Sequence, residues 1–260
     1  MTLRVASLYR YPVKGLSPER LDRADLTAGS YFPGDRLFAI ENGPSGFDPA
    51  APKHQPKIKF LMLMRDEALA RLRTRYDDAT GALVIADGGR EAARGDLSTE
   101  AGRAAIEAFF RQFMSKGLRG APKLLAASER FRFTDSSRGF VSLINLASVA
   151  AIENMIGVPV DPLRFRGNVH FDGLAPWAEF DLVGQVLETS SGARLKVTSR
   201  IVRCAATNVD PNTGFRDLDI PGTLQRRLGH ADCGVYAEVL EGGTIYEGER
   251  LTIQGATASV

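Results

Sequence analysis

The chain has 260 residues, 44% hydrophobic and 25% charged, with a formal net charge of +2. That length suits one large domain or two closely packed ones and is ample for a buried core. So small a net charge gives no reason to expect a nucleic-acid or membrane partner, two cysteines make no disulfide framework, and three scattered histidines make no zinc-type cluster.

The opening segment, MTLRVASLYRYPVKGL, lacks an apolar stretch followed by a small-residue cleavage site, and no run approaches the roughly 20 apolar residues of a membrane span. A cytoplasmic protein is expected. Leu3, Val5, Ser7, Tyr9 and Tyr11 alternate with Arg4, Ala6, Leu8 and Arg10, which predicts a strand ending at Pro12. Residues 36–42 and 82–88 read as further strands, with a Pro- and Gly-rich loop over 43–57. Between them Arg65–Tyr76 reads as a helix with Ala68, Leu69, Leu72 and Tyr76 on one face. Ile106, Phe109, Phe110, Phe113 and Met114 build the apolar stripe of a second helix, with Gly117 as its stop.

A boundary near Gly117–Pro122 divides the chain into 1–120 and 121–260. Beyond it come a short helix over Leu146–Ile156, two strands joined by a Ser-Ser-Gly turn, and a helix entered at Pro221. The last segment reads as two strands around the Gly242–Gly243 turn. Many short strands at regular spacing predict a mainly β, α+β protein built on a barrel or sandwich.

Chemistry concentrates at Cys204. An apolar, strand-like run precedes it, and Thr207, Asn208, Asp210, Asn212 and Thr213 follow. Arg203 would favour a thiolate if its side chain turned the same way. A thiolate is a nucleophile and a soft-metal ligand, while a cysteine beside a strand also reads as a structural residue. Cys233, His170 and His230 read as structural.

Arg203, Cys204, Thr207, Val209, Asp210, Pro211, Thr213 and Gly214 spell R-C-x-x-T-x-V-D-P-x-T-G. This resembles the motif around the metal-ligating cysteine of the MOSC family, the molybdenum cofactor sulfurase C-terminal domain. Other pieces resemble the family in the right order: YPVKG (11–15), GDRLFAI (34–40), DSS (135–137), SLINLASV (142–149), FRGN (165–168), WAEFDLVG (177–184) and GTIYEGERL (243–251). The likeness spans nearly the whole chain. It implies a MOSC β-barrel packed against an N-terminal MOSC-associated barrel-like domain, similar to the amidoxime reducing component-type members.

The resemblance also implies a ligand, the molybdenum cofactor, in which a pterin dithiolene holds the metal and carries a phosphate at its far end. Cys204 would complete the molybdenum coordination. Lys14, Arg36 and Arg166 match basic positions suited to a phosphate, and Ser136 and Ser137 match hydroxyl donors. Arg203 and Thr207 belong with the cysteine motif. Asp210 matches an acidic position near the metal, as proton donor or orienter, and reads from its own residues as an Asp-Pro turn. Asn168 reads as a pterin contact or as a strand cap. Two departures stand out: Gly15–Leu16 replaces Ser-Cys, losing a hydroxyl contact, and Gly167 replaces a proline, which should loosen that turn.

The activity implied is oxygen removal from small-molecule N-hydroxylated or related N–O and S–O substrates. No iron–sulfur cysteine spacing occurs before Val260. Electrons would therefore come from a separate redox protein, ferredoxin-like or cytochrome b5-like. Two alternatives stand beside this one: a sulfur carrier using a Cys204 persulfide, and a cofactor-binding protein without turnover.

Overall fold

The computed structural model describes residues 3–128, 131–135 and 141–254. The described chain is mainly β, with three α-helices. Its strands are β1 (Leu3–Arg10), β2 (Glu19–Leu21), β3 (Arg23–Leu26), β4 (Phe38–Asn42), β5 (Arg73–Tyr76), β6 (Ala82–Asp87), β7 (Arg90–Asp96) and β8 (Pro122–Ala126), then β9 (Val141–Asn145), β10 (Val169–Asp172), β11 (Val186–Glu188), β12 (Arg194–Val202), β13 (Asp232–Glu241), β14 (Gly243–Tyr246) and β15 (Arg250–Gln254). The helices are α1 (Glu100–Phe113), α2 (Leu146–Ile156) and α3 (Ile220–Leu228). None is long and apolar enough to cross a membrane.

Seven strands close into a barrel in the order β10-β9-β13-β12-β11-β15-β1, with β1 pairing back onto β10 and β2 hanging from β1. Only the β9–β10 pair is parallel. Inside lie Val5, Leu8, Leu143, Phe171, Leu195 and Val235, among others. Leu8 was expected opposite Leu3 and Val5, yet all three are sealed in this core. A register shift between Val5 and Ser7 against β10 accounts for this: the extra residue swings the following side chains to the other face.

A second core lies under α1, where Ile106, Phe110 and Met114 meet Leu83 and Ile85 of the β5-β6-β7 sheet and Leu124 of β8. Thr99 caps this helix by accepting from the Gly102 N–H at 3.0 Å. Two expectations are corrected here. Arg65–Tyr76 is not one helix: a short 3-10 turn covers Glu67–Arg71, and 73–76 is β5, paired with β6. The Gly242–Gly243 step is not a hairpin turn, because β13 stays in the barrel while β14 pairs with β3. Three strands, not two, close the chain.

Strand pairing crosses residue 120 repeatedly. β1 completes the barrel, β3 pairs with β14, and β4 pairs with β8. The early half is thus stitched to the late half along several strands, and the segment around Lys14 is carried against the barrel end that holds Cys204.

Candidate functional site

A cavity of about 580 Å³ opens between the two halves of the chain, within the range of small-molecule and cofactor sites. Its described lining contains seven cationic side chains (Lys14, Arg36, Lys57, Arg164, Arg166, Arg200, Arg203) against two carboxylates, Asp35 and Asp135. Such an excess of positive charge in a concave space favours an anionic guest.

Cys204 lines this cavity, half-buried, at the entry of a 3-10 turn over Ala205–Asn208. The chain leaves β12 at Val202, and Arg203 N–H donates to the Ala231 carbonyl at 2.8 Å, so the cysteine sits just beyond the barrel edge. Thr207 Oγ1 donates back to the Cys204 carbonyl at 3.0 Å and fixes the turn. Lys57 lies near enough to feel this sulfur: burial lowers its pKa, but the charge of Asp135 first, and then Cys204, outweigh burial and raise it.

Arg203 does not turn toward the neighbouring sulfur to bond it. Its guanidinium donates to the carbonyls of Cys233 and Phe165, the latter at 2.8 Å, and packs over the Phe165 ring. The N–H of the same Cys233–Gly234 peptide donates to Glu179, a fully buried carboxylate that also accepts from Asn145 and Ser148. The Trp-x-Glu stretch singled out in the sequence therefore anchors the peptide that holds Arg203.

The other wall is built around Tyr11. The guanidinium carbons of Arg36 and Arg166 each lie 4.3 Å from its ring centroid, and both residues adopt left-handed backbone conformations, φ 48° and 53°. Such conformations cost roughly 1–3 kcal/mol for residues other than glycine and place both side chains where an ordinary backbone would not. Arg36 is paired with Asp35 and donates to the Arg166 carbonyl at 3.0 Å. Arg166 donates to the Leu16 carbonyl at 2.8 Å, while its Nη2 is buried without a partner. Burial, then the charge of Arg36, lowers the Arg166 pKa to about 10. Lys14, 8% exposed, donates to the Phe133 carbonyl at 2.9 Å and to Asp135, whose other oxygen lies 3.7 Å from Lys57 Nζ.

Not every expected residue is brought here. Asn168 lines the cavity, but its side chain accepts from Ser142 and donates to the Tyr9 carbonyl at 3.2 Å, so it ties strands together. Asp210 is absent from the described lining. It accepts the N–H groups of Asn212 and Thr213 at 2.6 and 2.8 Å and faces Arg164 at 3.3 Å, which is the Asp-Pro turn reading. Ser136 and Ser137 lie outside the described residues. Cys233 is sealed in apolar surroundings, its pKa pushed up to about 12 by burial.

Lys57, Arg164 and Tyr11 were missed as site residues. Lys57 stands in a loop with Lys53 and Lys59 and had no distinguishing neighbour in sequence; only the fold sets it beside Cys204. The two departures from the motif also find reasons. Gly15 has φ 82°, with the Leu61 carbonyl 3.1 Å from where a Cβ would stand. At Gly167 a Cβ would meet Ile144 at 2.3 Å, so the turn is tightly packed rather than loosened.

Residues 2–119 match the MOSC N-terminal beta barrel domain and residues 130–252 match the MOSC domain. The chain belongs to the MOSC family. That family is associated with the molybdenum cofactor. Among solved structures, this MOSC chain is similar to the YuaD protein of Bacillus subtilis, with 15% identity, 97% of this chain and 96% of that chain covered, and a TM-score of 0.47. It is also similar to YiiM from Geobacillus stearothermophilus (18% identity, 48% and 58% covered, TM-score 0.38) and YiiM from Escherichia coli (16%, 48% and 59%, 0.35). No curated protein matches it.

Proposed function

We propose that this MOSC protein binds the molybdenum cofactor in the cavity between its halves and uses it to remove oxygen from N-hydroxylated or related N–O and S–O substrates. The observation that carries the reading is one cavity containing a half-exposed cysteine together with a large excess of cationic over acidic side chains. The donor set fits the group. Among the described residues no cluster of His, Cys, Asp and Glu could hold a metal ion by itself, so a metal meeting Cys204 would arrive with its other ligands attached. The unpartnered Arg166 Nη2 is a buried donor short of an acceptor, a defect that a phosphate oxygen would repair.

On this reading Lys14, Arg36 and Arg166 grip the phosphate, Cys204 supplies the protein's sulfur ligand, and Lys57 places a positive charge beside that sulfur. Arg203, pinned through Cys233 and Glu179, holds the turn that presents Cys204. When bound, the cofactor supplies the two-electron chemistry. The protein contributes binding, orientation and charge. Net removal of one oxygen consumes two electrons and two protons and releases water, with the electrons from a separate redox protein.

Freshly purified protein should contain about one molybdenum and one pterin per chain, and reduce benzamidoxime to benzamidine with a chemical or protein one-electron donor. Cys204→Ala should abolish that turnover while keeping the wild-type circular dichroism spectrum. A fully active Cys204→Ala protein would refute the assignment. A mass gain of one sulfur on Cys204 without any pterin would replace it with a sulfur carrier, and bound cofactor with no turnover would reduce it to a binding protein.

A further inference from the structure

Among the described residues that line the cavity, Tyr236 is the one phenol, and the register of the barrel aims it there. Along β13 the side chains of Cys233, Val235, Ala237 and Val239 are sealed in apolar cores. Side chains alternate across a strand, so Tyr236, half-buried between Val235 and Ala237, points to the opposite side of the sheet. Its partners across the ladders are Ser142 of β9 and Ser199 of β12, and both line the cavity with it. The phenol also feels the charges of Arg203, Asp135, Arg36 and Cys204, all of them cavity residues. It is therefore within electrostatic reach of the sulfur and of the basic wall at once.

Its O–H is unspent. Among the described residues the Tyr236 hydroxyl makes no hydrogen bond, while the backbone carbonyl of the same residue accepts from Thr198 Oγ1 at 3.2 Å. Tyr11 is the contrast: its hydroxyl is sealed in the wall without a partner, whereas that of Tyr236 keeps access to the cavity. Most of the polar lining around it is already committed. Arg36, Arg164, Arg166 and Arg203 donate to carboxylates or backbone carbonyls, and Ser142 and Asn168 bond one another. Burial raises the phenol pKa against the charge of Arg203, which keeps the group a neutral donor at ordinary pH.

We propose that Tyr236 is a further catalytic residue, whose phenol donates a hydrogen bond to the oxygen of the substrate's N–O or S–O group and passes its proton to that oxygen as the bond breaks. This rests on the oxygen-removal reading. Substrate, two electrons and two protons give the deoxygenated product and water. Tyr236 supplies one proton and solvent the other, while the electrons come from the separate redox protein. The phenolate left behind regains its proton from solvent, and Arg203 and Arg36 stabilise its charge until then.

The test is single turnover on purified holoprotein, reduced beforehand and mixed with excess benzamidoxime, so that electron delivery does not limit the measured rate. Molybdenum and pterin are assayed on the same preparations. Tyr236→Phe keeps the ring and removes only the O–H. It should lower the saturated rate by about a hundredfold or more, as a positioned general acid contributes. The half-saturating concentration should stay within about threefold, the pattern of an interaction made in the transition state, with metal and pterin content unchanged. A packing residue would behave otherwise: Tyr236→Phe would keep the wild-type rate and only Tyr236→Leu would lose it. A residue that merely holds the cofactor would lose pterin in Tyr236→Phe. Either result overturns the proposal and leaves the oxygen-removal reading standing. Wild-type protein that carries molybdenum and pterin yet forms no benzamidine takes down that reading, and the proposal with it.

Discussion

Arg166 allows the electrostatics of the cavity to be tested without turnover. Lowering a guanidinium from its ordinary value to about 10 corresponds to roughly 3 kcal/mol of destabilised charge, an upper bound because part of the side chain still meets the cavity. At neutral pH the group stays protonated, so the cost is present throughout the ordinary range. An anion reaching Nη2 should recover much of it. Independently, a ligand held at a hundred times its Kd stabilises the native state by about 2.7 kcal/mol. At about 2–4 °C per kcal/mol for a chain of this size, either route gives a rise in Tm of about 5–10 °C. The assay is a thermal melt of cofactor-free protein in inorganic pyrophosphate, against sodium chloride of equal ionic strength. Arg166→Met should lose most of the excess shift. An equal shift in chloride, or an undiminished one in Arg166→Met, would show that the buried cations are not an anion site.

His170, buried with Nε2 unpartnered, has its pKa lowered to about 4 by burial and then by Arg203. Between pH 6.5 and 4 the unfolded chain binds the extra proton first, so stability present above pH 6.5 is lost as pH falls, by up to roughly 3 kcal/mol; a urea midpoint in His170→Phe that falls as steeply as wild type over that window would contradict this. Glu179→Ala should cost about 3 kcal/mol in urea unfolding, since it strands buried donors from Asn145, Ser148 and Gly234; a loss below about 1 kcal/mol would mean the network is dispensable. Gly234→Ala should destabilise by at least ~2 kcal/mol, because φ is 79° and a Cβ would stand 2.5 Å from the Leu143 carbonyl; unchanged thermal stability would count against that packing.

The sequence by itself determined the elements whose signals are local. The Ile106–Met114 stripe gave α1, because a period of 3.6 marks one buried helix face whatever it packs on. Residues 146–156 form α2 as expected, with Asn145 at the start and Gly157 in a left-handed cap. The spacing around Cys204 pointed to the residue that lines the cavity. Tertiary structure decided what depends on a distant partner. Residues 73–76 became a strand because β6 offered a ladder, which outweighs a helical pattern in a short window. The bulge in β1 was set by register against β10, 160 residues on, and it reversed the side chains that follow. Lys57 near Cys204, Arg203 turned to a remote carbonyl and Asp210 folded into its own turn are all matters of side-chain direction. Composition and spacing say which charges exist; only the closure of the barrel fixes which of them are answered by a neighbour and which still face open space.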